Sequence, residues 1–90
     1  MVVWPFRVTY IHEPSNEQTR VLIIAPKALF KHAVDRNRLK RRMREAYRLN
    51  KEQIQNKGWH IAFRYIDKQQ QPFSVIHKAM CKAIDKMLQC

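Results

Sequence analysis

Residues 31–51 read KHAVDRNRLKRRMREAYRLNK, and no other part of the chain is as informative. The segment holds nine of the 18 basic residues and two of the seven acids, so its net charge is +7 of the chain's total of +11. At about 100° per residue, its apolar side chains fall on one side of a helix and its basic side chains on the other. We therefore predict an amphipathic helix from about Ala33 to Ile54. The predicted buried stripe consists of Leu39, Met43, Ala46, Tyr47 and Ile54.

The polar side of this predicted helix carries positive charge that few acids balance. Lys40 and Arg44 stand four residues apart, as do Arg44 and Arg48, and such like-charged pairs destabilise a helix by about 0.2–0.5 kcal/mol each. Glu45 is the only acid nearby. The pattern therefore indicates that a polyanionic partner supplies the missing negative charge. Arginine suits this role because its planar guanidinium binds phosphate oxygens bidentately and stacks on bases.

Two strands are predicted before the helix. Residues 2–11 are rich in β-branched and aromatic side chains, and residues 19–25 contain the apolar run VLII. The turn residues EPSN at 13–16 and the short connection predict that the two strands form an antiparallel hairpin. Pro5 cannot donate a ladder hydrogen bond, which predicts an edge position or a bulge. One face of the first strand would carry Phe6, Val8 and Tyr10.

The segments that follow the helix predict one more strand and one more helix. Asp35 is the expected N-cap of the first helix, and Gly58 is expected to end it. Residues 59–66 alternate as a strand, and a second helix begins at Ser74. The expected buried residues are Trp59, Ile61, Phe63 and Tyr65 in the strand and Ile76, Met80, Ile84 and Met87 in the helix. A further row of side chains on the second helix, Lys78, Lys82 and Lys86, is interpreted most simply as a solvated face. The order ββαβα predicts a single α+β domain over residues 1–90, with both helices packed on the sheet.

Composition excludes several classes of protein. A single glycine, Gly58, argues against a glycine-rich phosphate loop or a dinucleotide fold. Cys81 and Cys90 fit no zinc-ligand spacing and are expected to be free thiols, and no metal site is predicted. The four histidines are scattered over different elements, so no catalytic group of side chains is predicted. The chain shows neither a signal peptide nor the roughly 20 apolar residues of a membrane helix, which predicts a cytoplasmic protein.

The helix also carries a family resemblance. The dipeptide Ala33-Val34, followed by Arg36-Asn37-Arg38, Lys40-Arg41 and Arg44-Glu45, resembles the signature of the bacterial ribonuclease P protein family. The order of the flanking strands and of the last helix is similar as well, so the resemblance extends over most of the chain. It implies a central sheet and a βαβ crossover of the uncommon left-handed sense. The expected RNA-contacting residues are Arg36, Asn37, Arg38, Lys40, Arg41 and Arg44 at matching positions, and Arg48 on the same side of the helix.

The resemblance implies a division of labour between protein and RNA. The RNA subunit, with its bound magnesium, would hydrolyse the phosphodiester, and the protein would bind no cofactor. The protein would bind ribonuclease P RNA and the single-stranded 5′ leader of precursor tRNA. Aromatic rings can stack unpaired bases at roughly 1–3 kcal/mol each, which makes Phe6 and Tyr10 leader-binding candidates. Packing in the core is the alternative interpretation of both rings.

The chain departs from the family pattern at two places. The family normally begins with a helix before the first strand, whereas this chain starts at about that strand, and an uncovered sheet face would favour a homodimer. The loop before the basic helix usually carries a glycine, and residues 29–32 read LFKH instead. Two other functions stay open: a general RNA-binding or ribosome-associated basic protein, and a membrane-active basic helix.

Overall fold

The computed structural model describes residues 1–89 and contains a four-stranded sheet with two helices. Cys90, which the sequence predicts to carry a free thiol, lies outside the described residues. The elements are β1 (Val2–Val3), β2 (Phe6–His12), β3 (Arg20–Ile24), α1 (Ala33–Asn50), β4 (Trp59–Tyr65) and α2 (Phe73–Leu88). The predicted order and the α+β class are therefore confirmed, except that the first strand is divided in two.

The predicted hairpin between the first two long strands is wrong. The strands lie in the order β1-β2-β4-β3, so β4 separates β2 from β3. Phe63 in β4 pairs antiparallel with Val8 of β2 and parallel with Ile23 of β3. The connection at residues 13–19 has to span two strand spacings, about 10 Å, and seven residues reach that far without strain. β3, α1 and β4 form a parallel βαβ crossover. The left-handed sense of this crossover stays a prediction that rests on the family resemblance.

The division of the first strand occurs at Trp4 and Pro5. Val2 and Val3 fold back on Arg7 and Phe6 in a short antiparallel pairing, and the Trp4–Pro5 peptide bond at the turn is cis. Proline has no N–H to donate, so a turn at the sheet edge is a site that tolerates it. The expectation of an edge position is confirmed, and β1 forms that edge.

The core lies between one face of the sheet and the two helices. The expected α1 stripe is confirmed, with four residues buried and Tyr47 half-buried. The expected residues of β4 and α2 are all buried as well. Edge-to-face aromatic contacts join Phe6 to Phe63 and to Tyr65, with ring centroids 5.9 and 6.0 Å apart. Since α1 contacts β3 and α2 contacts β1, the helices cover the sheet from opposite edges.

The ends of α1 differ from the prediction in detail. His32 is the N-cap, so the assignment of Asp35 as N-cap is wrong. Asp35 lies in the first turn, where its backbone N–H donates to the His32 carbonyl oxygen at 3.1 Å and its carboxylate interacts favourably with the helix dipole. The α-helix ends at Asn50, and a single 3₁₀ turn at Lys51–Gln53 continues towards Ile54.

Gly58 acts at the start of β4 and not at the end of α1. Its φ is +79°, and a Cβ atom placed there would lie 2.0 Å from the Glu13 carbonyl oxygen and 2.5 Å from that of Asn16. The Glu13 N–H donates to the Gly58 carbonyl oxygen at 2.8 Å. Nearby, the Thr19 hydroxyl donates to the Ile54 carbonyl oxygen and accepts the Trp59 N–H. These contacts join the segment before β3 to the segment before β4.

We predict that Gly58→Ala destabilises the fold by about 2 kcal/mol or more, because its Cβ meets backbone atoms that cannot rotate away and its φ is positive. Urea denaturation measures the change in the free energy of unfolding. The matched control is Asn56→Gly, since Asn56 has a φ of 59° that glycine adopts freely. This control should lie within about 0.5 kcal/mol of the parent chain. Equal stability of Gly58→Ala and the parent would contradict the prediction.

Candidate nucleic-acid interface

The outward side of α1 forms a continuous basic surface. Two adjoining grooves run along the helix, and both are lined by Asn37 and Arg41. We define the α1 basic surface by its exposed residues Asn37, Arg38, Arg41, Arg44 and Arg48. These residues project outward because Leu39 and Met43 anchor the opposite side of the helix in the core. The rigid helix therefore presents a row of guanidinium groups to solvent.

Most of the positive charge on this surface lacks an internal partner. The Arg48 guanidinium donates two hydrogen bonds to the Glu45 carboxylate, one of them 3.0 Å long from Nε to Oε2. Hydrogen bonding and charge from Arg48 lower the pKa of Glu45, and Glu45 raises the pKa of Arg48. Among residues 1–89, no carboxylate lies within ion-pair distance of Arg38, Arg41 or Arg44. Those three arginines are available to an external anion.

Two of the expected contact residues lie away from this surface. Arg36 is half-buried, and its Nη1 donates to the carbonyl oxygens of Phe30 and Lys31, both at 2.9 Å. Its interactions hold the loop that leads into α1, whereas Phe30 itself packs against the Tyr65 ring. Lys40 is half-buried on the same side of the helix. Arg36 therefore positions the start of the basic helix.

Arg42, which is not among the predicted RNA-contacting residues, also holds two parts of the fold together. Its Nη1 donates to the Gln71 carbonyl oxygen at 3.0 Å and so connects α1 to the loop before α2. The helical-wheel position of Arg42, on the border of the core stripe, is the signal in the sequence that distinguishes it from the outward arginines. Near the other end of α1, the Asn50 side chain accepts the Cys81 thiol at 2.9 Å. Cys81 is a free cysteine, as predicted.

The face of the sheet that points away from the helices is a second exposed surface. Arg7, Arg20 and Arg64 place positive charge there, while Ile11 and Leu22 are 61% and 59% exposed. We call this surface the open face. Its residues are Arg7, Thr9, Ile11, Arg20, Leu22, Ile24, His60, Ala62 and Arg64. An apolar centre with arginines around it can contact both the bases and the phosphates of a nucleic acid.

The two leader-binding candidates, Phe6 and Tyr10, differ in how far they are buried. Phe6 has no exposed surface, so its ring is a core residue and cannot stack on an RNA base. Burial between strand and helices thus favours the packing interpretation of this residue. Tyr10 is half-exposed, pairs with the buried Ile61 and packs beside Trp59 at a centroid distance of 6.1 Å, so its ring lies on the helix side of the sheet. Next to it, the His12 ring stacks on Trp59 at 4.0 Å.

Residues 1–89 contain neither a cluster of metal-ligating side chains nor a membrane-spanning helix. No three or more His, Cys, Asp or Glu side chains come together in a way that could hold a metal ion. Neither described helix combines the length and the apolar character needed to cross a membrane.

Comparison with known proteins identifies the family. A family model described as Ribonuclease P matches residues 4–88. This chain belongs to the ribonuclease P family. The match spans nearly the whole chain and confirms the resemblance seen in α1, so the α1 basic surface belongs to a ribonuclease P protein fold.

Relatives and solved structures agree with this assignment. The chain is 36% identical to the ribonuclease P protein component of two strains of Porphyromonas gingivalis, over 92% of its own length and 66% of theirs. It therefore spans slightly less than two thirds of the length of these relatives. The structure of Staphylococcus aureus RNase P protein matches at a TM-score of 0.68, with 24% identity over 91% of this chain and 73% of that one. A mutant of the S. aureus protein with defective mRNA degradation activity matches at a TM-score of 0.71, with 24% identity over 99% of this chain and 73% of that one. These two structures support the fold.

We predict that Arg36→Ala lowers the free energy of unfolding by about 1–2 kcal/mol, because two backbone carbonyls of the loop before α1 lose their charged donor. Arg38→Ala removes the same charge from an exposed position and should change stability by less than about 0.5 kcal/mol. Thermal or urea denaturation of the two variants provides the comparison. Equal losses of stability would show that the Arg36 hydrogen bonds do not hold the loop.

Proposed function

We propose that this chain is the protein subunit of ribonuclease P, which binds the catalytic RNA and helps it remove the 5′ leader from precursor tRNA. One observation carries the proposal: a chain of this family presents Arg38, Arg41 and Arg44 on a rigid helix, without acidic partners among the described residues. The related P. gingivalis proteins are named as ribonuclease P protein components, which supports this role. A cytoplasmic location is expected from it.

The chemistry of the α1 basic surface fits an RNA backbone. Guanidinium groups bind phosphate oxygens through paired hydrogen bonds, and each phosphate contact adds to the salt dependence of binding. Asn37 adds an amide that can contact a base edge or a ribose hydroxyl. Because α1 is anchored in the core, its backbone is already ordered before binding, and the entropy cost is confined to the arginine side chains, at about 0.5–1.5 kcal/mol each.

In this proposal the RNA subunit and its magnesium carry out the hydrolysis. The protein brings positive charge to the place where two polyanions meet, the catalytic RNA and the precursor tRNA. Each guanidinium that lies between phosphates reduces their repulsion, so less magnesium is needed to hold the two RNAs together. The protein's contribution to the rate is thus greatest at low magnesium concentration.

The open face is the proposed site for the single-stranded leader. Arginines at three of its positions can bind phosphates, and exposed aliphatic side chains can cover unpaired bases. Of the two aromatic candidates, Phe6 is buried, and the half-exposed Tyr10 lies on the helix side of the sheet, so neither ring forms part of the open face. The leader would therefore run across the sheet on the side opposite to the two helices.

The first test measures cleavage of precursor tRNA by bacterial ribonuclease P RNA at low magnesium, with and without the protein. The parent chain should accelerate cleavage, and Arg41→Ala combined with Arg44→Ala should abolish most of this effect, since two phosphate contacts are lost. Affinity for the catalytic RNA should fall about 10- to 100-fold. The control, Lys27→Ala combined with Lys57→Ala, removes the same charge from exposed loop positions and should keep full activity.

The outcomes of this test discriminate between functions. Acceleration that survives the double arginine substitution would show that the α1 basic surface is not the contact. A parent chain that neither accelerates cleavage nor prefers ribonuclease P RNA to unrelated RNA would instead be a general RNA-binding or ribosome-associated protein. Tight binding without acceleration would locate the defect in a step after assembly.

The second test concerns the leader. Arg20→Ala combined with Arg64→Ala should weaken binding of precursor tRNA to the assembled ribonucleoprotein about 10-fold, but should not change binding of mature tRNA, which has no leader. Equal effects on both tRNAs would count against leader binding on the open face. A homodimer would use the same apolar face as the leader. Sedimentation of the parent chain and of the double variant, each without RNA, shows whether self-association competes with leader binding.

A further inference from the structure

A third basic surface lies on α2, on the side that faces β1. Lys78, Lys82 and Lys86 follow one another at intervals of four residues, and all three are exposed. Together with Val2, Trp4 and Val75 they line a groove between the helix and the edge strand. We call it the Trp4 groove. Its lining contains three lysines and no carboxylate.

Trp4 is held in an exposed position at one side of this groove. The residue is 55% exposed, which is unusual for so large an apolar side chain, and its neighbour Val2 is 57% exposed. The Asp67 carboxylate accepts hydrogen bonds from the Gln69 N–H and from the Gln71 side chain, at 3.1 and 2.9 Å. These contacts lower the pKa of Asp67, and a polar contact from the Trp4 indole adds to the same effect. The indole is therefore oriented by a polar contact while much of the ring remains accessible.

The Trp4 groove is separate from the α1 basic surface. The hydrogen bond between Cys81 and Asn50 marks the side of α2 that faces α1. Lys78, Lys82 and Lys86 lie about 60°, 100° and 140° around the helix from Cys81, all in the same direction. The sheet order agrees, because α2 contacts the β1 edge and α1 contacts the β3 edge. A ligand in the groove would thus not touch Arg41 or Arg44.

Stability alone does not account for this arrangement. The pair Lys78–Lys82 places like charges four residues apart, which weakens a helix in the same way as the arginine pairs of α1. A large exposed aromatic ring in the same groove adds an unfavourable apolar surface. Both features become favourable when a ligand supplies regularly spaced negative charge together with a flat apolar group.

We propose that the Trp4 groove binds an unpaired RNA strand, with a base stacked on Trp4 and successive phosphates paired with Lys78, Lys82 and Lys86. Intervals of four residues place the lysines about 6 Å apart along α2, comparable to the separation of phosphates in an extended strand. A duplex keeps its bases stacked inside, so the ring selects single strands. An anionic membrane fits less well, because insertion of Trp4 would carry the Asp67 carboxylate towards negative headgroups. This site is additional to the contacts proposed for the catalytic RNA and the leader.

Tryptophan fluorescence tests the stacking contact directly. The chain has two tryptophans, and Trp59 is only 6% exposed, so quenching by RNA reports Trp4. An unstructured oligouridylate of about 12 nucleotides should quench roughly half of the emission of the full chain. Trp4→Phe should remove the quenching, and Trp4→Ala should also weaken binding about 10-fold. Quenching that persists in Trp4→Phe would overturn the stacking contact.

Salt dependence tests the lysine contacts. Lys78→Gln combined with Lys82→Gln should reduce the slope of log affinity against log salt by about 1.4, since each phosphate contact on a single strand contributes about 0.7. The control pair Lys27→Gln and Lys57→Gln has the same net charge and should keep the parent slope. An unchanged slope in the Lys78 and Lys82 pair would refute the proposal.

Two further measurements separate this site from the other candidates. Arg41→Ala combined with Arg44→Ala should leave the quenching of Trp4 by oligouridylate intact, even though cleavage assistance is lost. Loss of the quenching in that variant would show a single RNA site on α1 and would overturn the proposal. Phosphatidylglycerol vesicles should leave the Trp4 emission unchanged. A blue shift with vesicles, without quenching by RNA, would replace the RNA strand by a membrane surface as the ligand.

Discussion

The position of β4 between β2 and β3 is the constraint on which the rest of the structure depends. β2 and β3 do not pair with each other. The sheet is therefore completed only when β4, which follows α1 in the chain, pairs with both of them. Gly58 allows that closure, because only a residue without a side chain lets the Glu13 and Asn16 carbonyls approach the start of β4. The crossover then fixes α1 against the sheet, and with it the direction in which the arginines point. A change in the packing of β4 would therefore alter the orientation of the α1 basic surface.

The same constraint explains how the fold tolerates so much unbalanced charge. Leu39 and Met43 are fully buried, and burial of each stabilises the fold by about 1.5–3 kcal/mol. Each like-charged pair on the opposite side of α1 costs about 0.2–0.5 kcal/mol. The core therefore outweighs the repulsion several-fold, and the helix keeps its shape without a partner. In the proposed complex, bound phosphates would relieve the repulsion that remains and so add to affinity.

Periodic patterns in the sequence predicted the parts of the fold that depend on one element at a time. The stripe of α1, the alternation of β4 and the apolar side of α2 each repeat within a single segment, and all three are confirmed. Strand order was not predictable in this way, because nothing local to β2 or β3 encodes that β4 lies between them. The roles of individual arginines were predictable only in part. Arg36 and Arg38 both belong to the family signature, yet only Arg36 donates hydrogen bonds to the carbonyl oxygens of Phe30 and Lys31. That distinction depends on where the preceding loop folds, which helical periodicity does not contain.

The placement of positive charge on different sides of a small fold bears on how such a protein discriminates between RNAs. Phosphate contacts give affinity but little sequence information, so a single basic surface would bind any RNA. Two surfaces held at fixed positions by one core add a geometric requirement, since both are satisfied only by RNA whose phosphates lie at the matching separation. The packing of α1 and α2 sets the separation between the α1 basic surface and the Trp4 groove. The sheet sets the separation between these two surfaces and the open face. If both surfaces bind RNA as proposed, selectivity follows from the rigidity of the fold, because a mobile attachment of either helix would let each surface bind RNA independently.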